Sequence, residues 1–265
     1  MVTILPNIRK NAPFMRLTLG LALLVGCGTM VACKTESEAA PETGTDYYPV
    51  AVGNTWTYAV VDSTWTSAPP VPSVVRVSTF QFRETITDVF PDATGQPAYR
   101  MVRAKMVPPS TTWRDDSVFV LSATPQFVAL SRDNTRTLEL IFPVRSGRSW
   151  NLNGFNNSLN DTITSETRQY SRIGEAFSTG GGNSGQPIKT YSTTLTTTNT
   201  GNASENSLLK RAGYQQVFAK GVGPVFRRKV LFLNYYTNSN TGVTYFPGSY
   251  FSGFSRRETL ISGPR

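Results

Sequence analysis

The chain has 265 residues, enough for one large domain or two small ones with a proper hydrophobic core. Hydrophobic residues make up 39% of it and charged residues 16%, so most of the chain should fold rather than stay disordered. No histidine is present, which excludes Ser-His-Asp and Cys-His catalysis, histidine-ligated zinc and a histidine general base. The only cysteines, Cys27 and Cys33, cannot build a four-cysteine metal site or a disulfide framework. We expect neither a metal nor a cofactor.

The first 32 residues have the pattern of an export signal. Arg9, Lys10 and Arg16 are their only charges, and an uncharged apolar run follows over 17–25. This run is shorter than the ~20 apolar residues that span a bilayer. Extended through residue 32 it is just long enough, so a stable anchor helix is the alternative. Small residues precede a cysteine twice, which favours a signal segment that is removed.

Two sites in this segment resemble the lipid-attachment site of bacterial lipoproteins. The sequence LVGC ends at Cys27 and the sequence MVAC ends at Cys33. The chain turns polar directly after Cys33, so Cys33 is the preferred lipidation site and Cys27 the alternative. The resemblance implies a mature protein held in a membrane by its N-terminal lipid. The expected location is the outer membrane of a Gram-negative cell envelope, on its periplasmic or its surface side.

Residues 33–46 contain no large apolar side chain and are expected to form a flexible tether. From residue 47 to residue 265 the pattern is strand-like nearly throughout, with short β-branched or aromatic runs that alternate with polar residues. The expected strands lie within 56–60, 75–86, 118–121, 127–130, 138–142, 162–173, 188–198, 225–236 and 254–261. Only 207–218 is a candidate helix, and Gly213 interrupts it.

This alternation indicates antiparallel strands with one buried face and one wet face. About ten strands in one chain should curl or close, because a long flat sheet leaves open edges. The predicted fold class is therefore all-β: one antiparallel β domain with a strongly curved sheet, as a barrel or a sandwich, after an N-terminal signal helix.

A nine-residue pattern occurs twice, at 48–56 and 142–150, as aromatic-Pro-Val-x-x-Gly-x-hydroxyl-Trp. The glycine permits a turn, and Trp56 and Trp150 are each expected to be buried on the strand that follows. Duplicated halves are one explanation, and two similar turns that feed one core are the other.

These motifs, together with Lys-Gly-Val-Gly at 220–223, resemble a family of uncharacterised bacterial lipoproteins. That family carries Tyr/Phe-Pro-Leu-x-x-Gly-x-x-Trp at its start, a second copy midway and Lys-Gly-Val-Gly-x-Val near its end. Valine replaces the usual leucine here at Val50 and Val144, and Pro224 follows Gly223. The resemblance implies an antiparallel β domain outside the inner membrane and no particular activity.

Catalytic motifs are weak, and no catalytic residue is assigned. Ser207 and Lys210 have the spacing of serine acyltransferases, but the Ser-Asp-Asn and Lys-Thr-Gly companions are missing. A histidine-free hydrolase that uses paired carboxylates is the alternative function, and it would need acidic residues to converge in the fold. The candidates are Asp88, Asp92, Asp115 and Glu139.

Without its three N-terminal cations the chain keeps 23 lysines and arginines against 17 acidic residues, a net charge of +6. Arginine pairs well with phosphate and carboxylate. For an exported protein this favours an anionic glycan, lipopolysaccharide or another envelope protein as partner. No nucleic-acid motif accompanies the charge, so nucleic acid is not expected.

The segment 235–254 is rich in aromatic residues around a polar hairpin turn at 238–242. Aromatic faces can stack on sugars, and neighbouring guanidinium groups can pair with acids. The candidate ligand-binding residues are Tyr245, Phe246, Tyr250, Phe251, Arg256 and Arg257. The alternative is that these rings attach the hairpin to the core. We thus expect a non-enzymatic module that binds a ligand, a glycan or a protein, with a purely structural role as a further possibility.

Overall fold

The computed structural model describes residues 43–65, 72–156, 165–180, 187–201 and 204–264. Within these ranges the chain forms one β domain, from residue 43 to residue 264. The expected signal helix, Cys27, Cys33 and the first part of the expected tether lie outside the described residues.

The described part of the chain is almost entirely antiparallel β-sheet, which confirms the predicted fold class. Its strands are β1 (Thr55–Trp65), β2 (Val75–Pro91), β3 (Pro97–Met106), β4 (Arg114–Ala123), β5 (Phe127–Arg132), β6 (Thr135–Ile141), β7 (Ser149–Asn151), β8 (Thr167–Ser178), β9 (Thr190–Thr200), β10 (Glu205–Asn206), β11 (Lys210–Ala219), β12 (Gly223–Ser239) and β13 (Gly242–Ser262).

The strands form a single sheet that curls into a nearly closed barrel, so the barrel alternative holds over the sandwich. The order is β6-β5-β4-β3-β2-β1-β13-β12-β11-β9-β8-β7, with β10 paired to β11. At the seam, the Leu138 amide of β6 donates to Leu152 O just after β7 at 2.8 Å. Trp150 Nε1 donates to Leu138 O at 2.8 Å across the same seam. Closure of this kind removes most of the open sheet edge.

The nine-residue repeat forms the same turn twice. Gly53 and Gly147 both have a positive φ, of 94° and 73°. After the first glycine, the Asn54 amide donates to Ala51 O at 3.1 Å and the Asn54 side chain donates to Pro49 O at 2.9 Å.

The second copy repeats these hydrogen bonds. The Arg148 amide donates to Arg145 O at 3.1 Å, and Arg148 Nη1 donates to Pro143 O at 2.7 Å. Each turn leads into a strand whose second residue is a buried tryptophan, Trp56 in β1 and Trp150 in β7. The prediction that both tryptophans are buried at equivalent turns is confirmed.

The strand order extends this equivalence to the two halves of the domain. β1 to β6 form one meander of consecutive neighbours, and β7, β8, β9, β11, β12 and β13 form another. β1 of the first meander pairs with β13 of the second, and β6 lies beside β7. This is the arrangement expected of duplicated halves.

Three parts of the fold differ from the sequence analysis. The one candidate helix, within 207–218, is a turn followed by strand β11, which pairs with β9 on one side and with β12 on the other. Ser207 forms the turn before β11, where its Oγ accepts from the Lys210 amide at 3.0 Å. The strands β3 and β7 lie in segments where none was predicted.

The start of the described chain packs against the second copy of the repeat. A Cβ on Gly44 would lie 2.6 Å from Val144 Cγ2, so only glycine fits there. The Gly221 amide donates to Asp46 O at 2.9 Å, and Lys220 Nζ lies 3.5 Å from Asp46 Oδ2. Residues 43–46, which the sequence assigned to the tether, thus contact the barrel.

Trp56 should contribute strongly to stability. It is fully buried, its Nε1 donates to Val222 O at 2.7 Å, and a Cβ on Gly223 would lie 3.0 Å from that nitrogen. We expect Trp56→Ala to lower the free energy of unfolding by ~3–5 kcal/mol in a urea titration, because a large cavity replaces a packed ring.

Trp113→Ala is the matched control for Trp56→Ala. Trp113 is only half-buried and lies under Arg83, whose Cζ is 4.5 Å from the ring centroid. The loss there should be about 1 kcal/mol, as for most partly exposed sites. Equal losses for the two variants would contradict the assignment of Trp56 to the core.

Candidate binding site

A layer of buried charges crosses the interior of the barrel. Glu84 of β2 is 1% exposed and accepts hydrogen bonds from Arg103 of β3 and Arg227 of β12. Arg227 Nη1 is 3.0 Å from Glu84 Oε1 and 2.9 Å from Glu258 Oε2 of β13. Two guanidinium groups and two carboxylates therefore neutralise one another inside the fold.

The alternation of side chains along a strand places Glu84 in the interior of the barrel. Along β2 the inward positions are Phe80, Phe82, Glu84 and Ile86, and all four side chains are buried. A carboxylate in this otherwise apolar series is the sequence signal for the interior site, and Glu84 was not among the predicted site residues.

Aromatic rings support both guanidinium groups from the apolar side. Arg103 lies 4.6 Å from the ring centroid of Phe82 and 4.8 Å from that of Phe119. Arg227 lies 4.8 Å from the centroid of Tyr58. Planar guanidinium groups stack well on such faces. The charged layer thus rests directly on the hydrophobic core.

The ion pairs control the ionisation of Glu84. Burial alone would raise the pKa of its carboxyl, but the charges of Arg227 and Arg103 and their hydrogen bonds outweigh burial and lower the pKa from 4.5 to about 2. Arg227 also stays charged, because Glu84, Tyr58 and Glu258 outweigh its burial and raise its pKa.

Above this layer lies a cavity of about 490 Å³. Its size falls in the range of small-molecule sites, which is ~300–1,000 Å³. Polar and charged side chains dominate the lining, which consists of Tyr48, Arg103, Phe119, Leu130, Arg132, Asp133, Thr135, Thr137, Glu139, Tyr214, Gln216, Arg227, Arg228, Lys229, Arg256 and Glu258.

Several cavity groups keep binding capacity. Lys229, which lies opposite the inward Arg256 in the sheet, is exposed and forms no ion pair with any described residue. The carboxylate of Glu139 is half-buried and forms no ion pair within the described ranges either. Glu139 Oε1 accepts from Thr137 Oγ1 at 2.8 Å. Gln216 is best oriented with its amide nitrogen 3.3 Å from Glu139 Oε2 and its oxygen 3.3 Å from Arg227 Nε.

The phenol of Tyr48 adds a neutral donor to the cavity. Burial, with the nearby Glu84 carboxylate, raises the pKa of this hydroxyl well above its ordinary value. Among the described residues, none forms a hydrogen bond with the Tyr48 hydroxyl. It is therefore protonated and available to a bound molecule.

The aromatic candidates lie elsewhere, on strands rather than in a loop. β12 and β13 join through a tight turn between Ser239 and Gly242, and their last part extends as a two-stranded ribbon beyond β1, whose pairing with β13 ends at Gly253. On this ribbon the rings of Tyr245, Phe246 and Phe251 pack around Tyr235 and Tyr236, with centroids 4.9–6.3 Å apart.

Tyr250 lies at the base of this ribbon and packs against two rings of the neighbouring sheet. Its ring centroid lies 5.0 Å from that of Phe232 and 6.4 Å from that of Trp65. For Tyr250, these contacts agree with the alternative prediction, in which the aromatic rings attach the hairpin to the core.

The structure does not bring the two predicted arginines to the aromatic ribbon. Arg256 faces the interior cavity and forms a two-pronged pair with Asp62, with Nε and Nη2 each 2.7 Å from a carboxylate oxygen. Arg257 faces outward, over the ring of Phe226, and donates to Gly180 O. Adjacent strand residues point to opposite faces, so the two cannot form one site.

The carboxylates proposed for a hydrolase do not converge either. Of Asp88, Asp92, Asp115 and Glu139, only Glu139 lines the interior cavity. Glu84 and Glu258 come close because both bind Arg227, and the lowered pKa of Glu84 is the reverse of what a general acid needs.

Comparison of the chain with protein-family models, with curated proteins and with solved structures finds no match. Within the described ranges, no helix is long and apolar enough to cross a membrane.

The buried Glu84 should make the free energy of unfolding depend on pH in the acidic range. The unfolded carboxyl protonates near its ordinary pKa of 4.5 and the folded one near 2, so the unfolded state binds more protons between these values. The free energy of unfolding should fall by about 3 kcal/mol as the pH drops through this window.

Urea titrations of the wild type and of Glu84→Gln from pH 7 to pH 2 test this dependence. At pH 7 the variant should be less stable by ~3–5 kcal/mol, because Arg103 and Arg227 lose their shared partner, and its acid dependence should be weaker. Asp88→Asn, an exposed site on the same strand, should keep the wild-type curve. Parallel curves for wild type and Glu84→Gln would contradict the assignment.

Proposed function

We propose that the protein is a lipid-anchored binding module of the cell envelope whose barrel cavity holds a small acidic sugar or a similar polyhydroxylated carboxylate. The observation that carries this proposal is the interior cavity of about 490 Å³ with its uncompensated polar groups. A concave site with a few convergent polar side chains is the usual form of a small-molecule pocket.

The charges of the cavity favour an anion that also carries hydroxyl groups. Arg103 and Arg227 are neutralised by Glu84 and Glu258, which leaves Lys229 as the cation for an acidic group. Its neighbour Arg228 lies opposite Arg257 and faces outward. At the same time, the Glu139 carboxylate can accept hydrogen bonds from ligand hydroxyls, and the Tyr48 phenol can donate one. An acidic sugar carries both kinds of group.

Binding fits this site better than hydrolysis. The buried carboxylates of Glu84 and Glu258 are both paired with Arg227. A general acid needs a raised pKa, whereas the pKa of Glu84 is lowered. We therefore keep the non-enzymatic function, with an anionic glycan as the preferred ligand class over lipopolysaccharide or an envelope protein.

Removal of the Tyr48 hydroxyl tests the cavity. Because this hydroxyl has no described partner, Tyr48→Phe should leave the melting temperature unchanged and weaken binding of D-galacturonate about fivefold to tenfold in isothermal titration calorimetry. Lys229→Ala should weaken it by a similar factor and reduce the effect of salt.

Arg76→Ala removes an exposed cation outside the cavity and is the control for Lys229→Ala. It should leave galacturonate binding unchanged. No binding of galacturonate or glucuronate to the wild type at low salt, or equal affinity in all variants, would overturn the cavity proposal.

The membrane anchor has its own test. In a Gram-negative host fed a labelled fatty acid, Cys33→Ser should abolish lipid labelling and leave an unprocessed precursor, whereas Cys27→Ser should be processed normally. The reverse result would move the lipid to Cys27. Normal labelling of both variants would contradict the lipoprotein assignment.

A further inference from the structure

A second concave site lies at the base of the β12–β13 ribbon. It encloses about 290 Å³ and is separate from the interior cavity. Four aromatic residues line it, Tyr235, Tyr245, Phe246 and Tyr250. The rest of the lining consists of the polar residues Asn206, Ser207, Arg211 and Asn234, together with Leu208, Pro247 and Gly248.

Arg211 is the charged group of this cleft. It is exposed, and its guanidinium stacks 4.2 Å from the ring centroid of Phe232. It forms no ion pair with any residue in the described part of the chain. A stacked guanidinium keeps its donor edge free for a carboxylate or phosphate.

The other polar atoms of the cleft suit hydroxyl groups. The hydroxyls of Tyr235, Tyr245 and Tyr250 have no hydrogen-bond partner among the described residues. Asn234 Nδ2 donates to Leu208 O at 2.9 Å, which orients its side chain and leaves Oδ1 as an acceptor. Aromatic faces beside such groups combine stacking with directional hydrogen bonds.

From these features we infer a carbohydrate site: the cleft binds an acidic sugar unit of an oligosaccharide, with the sugar ring against the tyrosines and its acid group on Arg211. This site is separate from the interior cavity. The cation beside its aromatic residues is Arg211, not Arg256 or Arg257 as the sequence predicted.

The test titrates the soluble domain with trigalacturonate and with its neutral methyl ester. The wild type should bind the acid at least ~10-fold more tightly than the ester, and the difference should shrink as salt increases from 0.02 M to 0.3 M, because exposed charges are screened. Trp65 packs against Tyr250, so tryptophan fluorescence offers a second readout at the cleft.

Variants then assign the binding to this cleft. Arg211→Gln should weaken trigalacturonate binding about tenfold, and Tyr245→Ala should weaken the acid and the ester alike. Val243→Ala, another exposed apolar change on the same ribbon, should have no effect. Melting curves and Tyr245→Phe, which keeps the ring, separate lost contacts from lost folding.

Lys229→Ala distinguishes this proposal from the function proposed for the cavity. Trigalacturonate binding that persists in Lys229→Ala and falls in Arg211→Gln supports the cleft, whatever the cavity does. Binding that is unchanged in Arg211→Gln and Tyr245→Ala overturns it, and so does equal affinity for the acid and its methyl ester.

Discussion

The ion pair between Glu84 and Arg227 joins the two halves of the barrel across its interior. Glu84 belongs to the first meander and Arg227 to the second, and their Oε1 and Nη1 atoms lie 3.0 Å apart. Removal of one partner would leave a buried charge without compensation, which is far more costly than the net gain from the intact pair. The register of β2, β3, β12 and β13 around this point is therefore tightly constrained.

The same interaction explains why the barrel is not filled. Below the charged layer, Trp56, Tyr58 and Phe218 close the interior with fully buried rings. Above it, the guanidinium groups and carboxylates require polar neighbours, and the space among them remains as the cavity. One layer of charges thus separates a core that stabilises the fold from a site that can bind a polar molecule.

The two concave sites differ in how they are built. The cavity collects inward side chains from strands of both meanders, whereas the cleft uses the ends of β11, β12 and β13 where the sheet narrows to a ribbon. Both combine an uncompensated cation with free hydroxyl groups, which is why both are assigned to acidic sugars. Their separation makes each assignment testable without the other.

The sequence alone determined the fold class, because period-two alternation of apolar residues is a local property. It also determined the two repeated turns, since proline, glycine and tryptophan each constrain the backbone or the core at short range. Glu84 at an inward position of β2 could have been read from the same alternation, but its partners could not. Arg227 is 143 positions away, and only the pairing of β12 with β13 and of β13 with β1 brings it to Glu84.

The aromatic segment 235–254 shows most clearly what the sequence alone does not determine. Its composition indicated a binding surface, but neighbouring positions in a strand face opposite sides, so Arg256 points into the cavity and Arg257 points outward. Arg211, which does lie at the aromatic cleft, comes from β11 and pairs with Phe232 in the register of the sheet. Strand register is a long-range property that depends on closure of the whole barrel. For that reason only the tertiary structure decided that Arg211 lies at the aromatic cleft and Arg256 at the cavity.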